Sequence, residues 1–270
     1  PVLPLPDPDS PWIAGHYCDE FAEAHHRQLA VREALGAGVP SAGVGCAISR
    51  RAMECVAARR HGRPFDETSL TEDYEIGLRL AALGYDGVFV AMPATPGGRI
   101  VSVRAHFPNV VDRAIRQKAR WMIGIALAGW DRLGWRLHWA DIWMRLRDRI
   151  APMAAIVLMA AYLSLVLWGL SGIGHYLTGT ARPATSPAIA LLLECNGVFL
   201  AWRLAMRFHS VRHYYGTGQA FLALFRIVVS NAVAICAARR AIVEYWGLVH
   251  GRPVRWDKTP HHFPHALPAE

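Results

Sequence analysis

The sequence has little charge, and the shortage is concentrated in one region. Only 19% of its 270 residues are charged, whereas 53% are hydrophobic. No Asp, Glu, Lys or Arg occurs from Ile150 to Ala181, and an apolar run of more than about 18 residues is typical of a helix that spans a bilayer. This composition argues against a purely soluble globule, excludes disorder as the main state, and predicts a membrane protein.

Lysine is nearly absent, so the positive charge is almost all arginine. Only Lys118 and Lys258 occur, and the net charge of +8 divides into +2 for residues 1–150 and +6 for residues 151–270. The excess flanks the apolar stretches and does not gather on one soluble face, which argues against a nucleic-acid partner. Because cytoplasmic segments are enriched in Lys and Arg, we expect residues 1–150 and the C-terminal tail to be cytoplasmic.

Sequence patterns for several other kinds of site are absent. The five cysteines include no C-x-x-C pair, which indicates reduced thiols and argues against a disulfide framework or a zinc site. No P-loop, G-x-G-x-x-G motif or nucleophilic Ser, His and Asp triad is recognised. Residues 1–6 have neither a basic segment nor an apolar core, so we predict no signal peptide and expect the chain to be the rear portion of a longer protein.

Residues 1–128 have the alternating pattern of an α/β domain. Apolar spacing, capping residues and glycines predict helices over residues 17–35, 50–60 and 69–83. The apolar end of residues 41–49 and the run 87–93, which Pro93 closes, predict short buried strands. A helix that feeds directly into a strand is typical of α/β proteins, and this is the fold class that we predict for the soluble part.

The rest of the chain is predicted to be membrane-associated. Tryptophans and arginines alternate over residues 129–149, as in a helix that lies in the bilayer interface. Two spans are predicted at about 151–173 and 187–207, within a membrane region of residues 150–270. The third apolar stretch, residues 219–240, contains Arg226, and a charge at mid-bilayer costs about 2.5–3.5 kcal/mol. We therefore favour an interfacial or re-entrant helix there, with a third span as the alternative.

Thr71, Glu72 and Asp73 are the first candidate for chemistry. Carboxylates in the first turn of a helix are stabilised by its dipole, and Ser69 with Glu72 fits a capping box, so a purely structural role is one interpretation. The other is that Asp73 faces a cleft and serves as a general base toward an acceptor hydroxyl.

A second candidate lies in Gln117-Lys118-Ala119-Arg120-Trp121. Gln117, Arg120 and Trp121 are spaced i, i+3, i+4, so they share one face of a predicted helix. Such a face can bind a diphosphate through the guanidinium, bond hydroxyls through the amide and stack a sugar ring on the indole. The alternative is an interface helix whose Arg and Trp meet lipid headgroups.

Two weaker candidates remain. Gly43 and Gly45 permit close approach of the backbone to a ligand, although a simple turn before a strand is the better explanation of two glycines alone. His261, His262 and His265 lie in a Pro-rich tail, where solvated side chains are a better explanation than a metal site. We predict no metal ligands in this chain.

Taken in order, these motifs resemble a known family. A G-x-G segment, T-E-D at a helix start, Q-x-x-R-W ahead of membrane helices and a final W-x-K-T resemble the acceptor-side half of membrane-bound family 2 glycosyltransferases of the cellulose- and hyaluronan-synthase type. Residues 17–23, 39–45 and 252–259 look most like the bacteriophage adsorption protein B branch of that family. The resemblance covers nearly the whole chain.

The resemblance implies the remnant of a GT-A (Rossmann-like) domain followed by interfacial and transmembrane helices. It implies inverting, processive transfer of a sugar from a nucleotide-diphosphate donor to a growing glycan at the cytoplasmic face of a bacterial inner membrane, with an outer-membrane export partner as a further possibility. Asp73 would be the base with Glu72 beside it. Donor and acceptor would contact the remaining candidates: Thr71, Gln117, Arg120, Trp121, Gly43, Gly45 and Cys46.

One departure from the family pattern concerns the metal. Family members hold the nucleotide and a divalent Mg or Mn ion through a D-x-D motif in an N-terminal half, which we expect to be missing here, so that this chain alone would be inactive. Asp7-Pro8-Asp9 matches the letters, but no predicted strand precedes it. Alternative functions are a non-catalytic membrane subunit of envelope glycan assembly or export, a phage-adsorption component, or a transporter.

Overall fold

A computed structural model describes residues 1–253, and these are mostly helical. The W-x-K-T segment and the tail histidines therefore lie outside the described residues. Nine α-helices follow one another along this part of the chain: α1 Ile13–Glu23, α2 Leu29–Ala34, α3 Arg50–Ala58, α4 Glu72–Ala82, α5 Val111–Trp121, α6 Gly129–Leu133, α7 Trp139–Arg149, α8 Ala151–Thr178 and α9 Pro187–Val249. Two π-helical segments, Ala24–Gln28 and Met122–Leu127, connect α1 to α2 and follow α5.

Two helix ends within residues 1–128 lie where local sequence signals predict them. The Ser49 hydroxyl accepts the Ala52 amide and caps α3, as expected. Helix α4 ends before Gly84, whose φ of +83° is a left-handed conformation that glycine adopts without strain. The helical prediction for residues 17–35 is confirmed by α1, the first π segment and α2.

The two predicted strands are wrong for the described chain. No β-strand occurs among residues 1–253, and only two isolated bridges are present, Val2 with Val103 and Pro93 with Ile100. A strand forms only when a neighbouring chain accepts and donates its backbone hydrogen bonds. Among residues 44–49 and 87–93, only Met92 and Pro93 have such a neighbour in this part of the chain: Met92 accepts the Val101 amide and Pro93 is bridged to Ile100. Val88 and Val90 are exposed.

The helix predicted over residues 129–149 is not continuous, because the chain breaks at Gly134; its location in the bilayer interface stays a prediction. Gly134 has φ +54° and ψ −145°, and it separates α6 from α7. Two arginines of α7, Arg145 and Arg149, are held inside the protein. They are buried and donate to main-chain carbonyls at the end of α6, and the Arg149 guanidinium lies 4.5 Å from the Trp135 ring centroid.

Helices α8 and α9 are both long and apolar enough to cross a membrane. Helix α9 contains a non-helical residue, Gly216, that divides it into two parts. The second part packs against α1 and α5 through small residues and leaves Phe225 and Trp246 exposed. Its Arg226 is buried and ion-paired to the buried Asp19 at 2.7 Å. The placement of residues 219–240 in the interface or across the membrane stays a prediction.

Candidate functional site

The T-E-D segment lies at the start of α4, but its predicted capping box does not form. Thr71 is the residue before the helix and makes no side-chain cap. The Ser69 hydroxyl instead donates to Glu75 at 2.6 Å, because a buried carboxylate one turn into the helix needs donors more than the partly exposed Glu72 does. The interpretation of Glu72 as one half of a capping box is therefore wrong.

The glycine segment runs along one face of α4. Asp73, Gly77 and Ala81 are spaced by four residues, so they lie above one another on the helix. A Cβ on Gly77 would lie 2.4 Å from the Val39 carbonyl oxygen, and one on Gly38 would lie 2.8 Å from the Ala81 Cβ. The absence of a side chain at residue 77 lets the preceding loop contact the helix directly. This contact also brings the following residues of the loop close to Asp73.

Gly43 lies directly against the Asp73 carboxylate. A Cβ on Gly43 would be 2.7 Å from Asp73 Oδ2, and Gly43 has φ +74°, so any other residue there meets both a steric and a backbone penalty. The structure thus brings together Gly43 and Asp73, which are 30 residues apart in the sequence. The turn is more constrained than an ordinary entry to a strand.

The surroundings of Asp73 alter its acidity. Burial raises the pKa of Asp73, and the negative charge of Glu72 adds to that rise. A hydrogen bond from the Tyr74 amide to Asp73 Oδ1 (2.7 Å) and the positive charge of Arg120 oppose it, and the pKa stays above its ordinary value. A carboxylate with a raised pKa is better matched to accepting a proton near neutral pH.

The Q-x-x-R-W motif forms the C-terminal part of α5 and meets the T-E-D segment through the π segment that follows it. A Cβ on Gly124 would lie 2.3 Å from Thr71 Oγ1, so the Thr71 side chain packs directly against the backbone of the π segment. Gln117 and Thr71 are both buried, and Gln117 Oε1 and Thr71 Oγ1 have no hydrogen-bond partner within residues 1–253. Buried polar atoms without partners are uncommon and are suited to receiving ligand groups.

Two residues of the motif are also held by the protein core. The Trp121 ring lies 6.2 Å from the rings of Tyr17 and Phe21 and is only half-buried. Lys118 is buried and donates to Glu20 at 2.6 Å. Glu20 also accepts from the Ser230 hydroxyl of α9. Helical spacing could not indicate the pair of Lys118 and Glu20, because the two residues are 98 positions apart.

Gly45 and Cys46 occupy a different environment from Gly43. They line an open cavity of about 550 Å³ beside α4, together with the loop 87–90. A Cβ on Gly45 would lie 2.5 Å from Val103, and the Cys46 Sγ is 3.2 Å from the Ser41 hydroxyl oxygen. The cavity is adjacent to the Asp73 cluster because the loop 39–46 borders both.

The sequence analysis did not identify the polar residues that connect α4 to α2 and α7. The Tyr74 hydroxyl donates to Asp148 of α7 at 2.5 Å, and Asp148 is ion-paired with Arg32 of α2 at 2.8 Å. These three side chains connect the helix that carries Asp73 to two others. Only the burial of Tyr74 beside a candidate carboxylate could have indicated them, and its partners are remote in sequence.

The residues present do not form the metal site that the family implies. In the part of the chain that the structure describes, no three His, Cys, Asp or Glu side chains converge in a way that could hold a metal ion. Asp7 accepts hydrogen bonds from the Asp9 amide and the Asn109 side chain, so it serves a local turn. We assign no step to a metal ion in this chain.

The chain is similar to proteins of a known family. A family model described as "Glycosyl transferase family group 2" matches residues 1–237. The chain is 33% identical, over 291 aligned positions, to bacteriophage adsorption protein B of Escherichia coli K12 and to bacteriophage N4 adsorption protein B of Escherichia coli O157:H7. These alignments cover 98% of this chain but 38% of each relative, so the chain spans well under half of their length. No solved structure matches it.

The family match includes the glycine loop, T-E-D and Q-x-x-R-W, the same three segments that meet around Asp73. It also implies a GT-A-like fold for the domain to which these segments belong. The chain belongs to glycosyl transferase family group 2.

Proposed function

We propose that this chain supplies the acceptor side of an inverting glycosyltransferase that elongates a glycan with hexose units from a nucleotide-diphosphate donor. The observation that carries the proposal is the convergence of two sequence-distant segments on that of Asp73: Gly43 lies against its carboxylate, and residues 120–124 bring Arg120 within electrostatic reach and Gly124 against the neighbouring Thr71. The fold alone would not require a partly buried carboxylate at this point.

In the proposed reaction Asp73 accepts the proton of the acceptor hydroxyl. The acceptor oxygen then forms a bond to the anomeric carbon of the donor sugar, while the bond from that carbon to the diphosphate oxygen breaks with its electron pair. Arg120 is placed to stabilise the leaving diphosphate, and the buried Gln117 and Thr71 oxygens are available to ligand hydroxyls. The leaving group is a nucleoside diphosphate.

The membrane helices favour a site beside a bilayer. Helices α8 and α9 are suited to crossing a membrane, and many of their large apolar side chains are exposed. We infer that the soluble part lies on the cytoplasmic face of a bacterial inner membrane, where nucleotide sugars are made, and that the product leaves through or beside these helices. The divalent ion expected for the family would be bound by residues outside this chain.

The test uses the chain extended to the length of its relatives, expressed in membranes and supplied with labelled nucleotide sugars. Asp73→Asn keeps the shape of the side chain but cannot accept the proton, so sugar incorporation should fall by about a hundredfold or more. Asp112→Asn, at an exposed aspartate of α5, is the matched control and should leave incorporation unchanged. Membrane insertion of both variants is checked by alkaline extraction.

Retained incorporation in Asp73→Asn would remove Asp73 from the chemistry. Equal loss in Asp112→Asn would show that any lost aspartate impairs the protein and would contradict the assignment. If the extended wild-type chain transfers no sugar from any donor tested, the non-catalytic alternative is favoured.

A further inference from the structure

A second cavity lies on the opposite side of α4 from Asp73. Glu75 and Arg79 project from this side, about 200° around the helix from Asp73 and Gly77. The cavity is open and measures about 400 Å³. Its lining is almost entirely charged: Arg59, Arg60, His61, Asp66, Arg79 and Arg132. None of these residues belongs to the T-E-D or Q-x-x-R-W segments.

Two carboxylates fix the positions of the guanidinium groups. Asp66 lies 2.6 Å from both Arg60 and Arg132, and the buried Glu75 accepts from Arg79 at 3.0 Å and from Arg132 at 2.5 Å. Burial alone would raise the pKa of Asp66, but hydrogen bonds from Thr68 and Arg60 and the charge of Arg132 hold it below its usual range. Asp66 is therefore charged under all ordinary conditions.

The arginines are in excess over the carboxylates that hold them. Four guanidinium groups surround the cavity, against Asp66 in its lining and Glu75 behind it. The Nε of Arg79 is buried and has no hydrogen-bond partner within the described residues. At the rim, His61 has φ +51° and is followed by Gly62 at +84°, a tight turn that sets Arg59 and Arg60 beside the opening.

We propose that this cavity binds a phosphate group. Guanidinium forks match phosphate oxygens geometrically and are weakly hydrated, so a cluster with unsatisfied N–H donors and excess positive charge is suited to an oxyanion. Two sources share this chemistry, the headgroup of an anionic lipid and a soluble phosphate compound. The cavity adjoins α6, whose Trp130 is exposed, in the region predicted to lie at the bilayer interface.

The test is calorimetric titration of the chain in detergent. The probes are inorganic phosphate, dihexanoyl phosphatidylglycerol and, as a zwitterionic control, dihexanoyl phosphatidylcholine. Arg79→Gln removes one cavity guanidinium while Glu75 keeps Ser69 and Arg132 as donors. Arg50→Gln is the matched control, because Arg50 lies on α3, is 92% exposed and pairs only with the neighbouring turn at Glu54.

We expect saturable binding of phosphate by the wild type, a loss of affinity of about tenfold or more in Arg79→Gln, and no change in Arg50→Gln. Arg59→Gln, at an exposed position on the rim of the cavity, should also weaken binding. Binding of phosphatidylglycerol that is stronger than binding of phosphate and depends on Arg79 would identify a lipid headgroup as the ligand. Binding of phosphate without binding of phosphatidylglycerol would identify a soluble phosphate compound. Equal losses in Arg50→Gln and Arg79→Gln, or no saturable binding of either anion, would overturn the proposal.

Discussion

The two faces of helix α4 give a carboxylate opposite surroundings. Asp73 and Glu75 are two residues apart and therefore point to opposite sides of the helix. Glu75 is buried and receives hydrogen bonds from Ser69, Arg79 and Arg132. Asp73 lies against the glycine loop, accepts the adjacent Tyr74 amide, and has a raised pKa.

This difference separates a structural carboxylate from a reactive one. A carboxylate that accepts hydrogen bonds from several donors is fixed in position and organises its partners, which suits Glu75 to fixing the arginine cavity. A carboxylate whose charge is disfavoured by burial accepts a proton more readily, which suits Asp73 to base chemistry. The predictions below test this division, from the largest expected effect to the smallest.

Glu75→Gln should destabilise the fold most. Removal of the charge leaves the partly buried Arg79 without its counterion and Arg132 with Asp66 alone, and loss of one member of a buried ion pair costs about 3–5 kcal/mol. Chemical unfolding in detergent measures the effect. Glu72→Gln, in the same turn but partly exposed, is the control and should lower the free energy of unfolding by much less. Equal effects at the two positions would contradict the division.

Gly77→Ala should separate the glycine loop from α4. The added Cβ would meet three main-chain atoms of residues 39–41 at 2.4 to 2.8 Å, and overpacking of this kind costs about 1–3 kcal/mol. A melting temperature below that of the wild type is the expected readout. Gly218→Ala, at a helical glycine with open space around it, should leave stability unchanged or raise it slightly. Wild-type stability in Gly77→Ala would show that the loop does not need this contact.

Glu72→Gln should shift the acidic limb of the sugar-transfer profile to lower pH. Burial is the main cause of the raised Asp73 pKa, and Glu72 adds to it, so loss of the Glu72 charge lowers that pKa. A base must be deprotonated to act. The pH at which activity is half lost on acidification should therefore fall by a few tenths of a unit. Glu54→Gln, at an exposed glutamate of α3, should cause no shift. An upward shift in Glu72→Gln would contradict the account.

The local parts of this fold were predictable from sequence, and the paired parts were not. The Ser49 cap and the Gly84 terminus act on adjacent residues, so local spacing identified both. The strands over 44–49 and 87–93 depend on backbone pairing along their whole length, and residues 1–253 provide it only at Met92 and Pro93. The break at Gly134 depends on two arginines of α7 that bind its carbonyl, which no periodicity indicates.

The candidate site was likewise predictable only where it depends on local sequence. Motif order was sufficient to select Asp73, Arg120 and Gly43, because each residue type is chemically distinctive at its position. Their convergence could not be predicted, since it depends on Gly77 and Gly124 as points of close backbone contact. The burial of Lys118 against Glu20 was missed for the related reason that one side chain satisfies another across a long sequence distance.

A measurement of the Asp73 pKa tests the difference between the two faces of α4 most directly. It can be made on the chain without extending it to the length of its relatives. The carboxyl carbons of aspartate are labelled with ¹³C, the Asp73 resonance is assigned by its absence in Asp73→Asn, and its shift is followed against pH in detergent. We predict a midpoint clearly above the ordinary value of 3.8. A midpoint at or below that value would contradict the account.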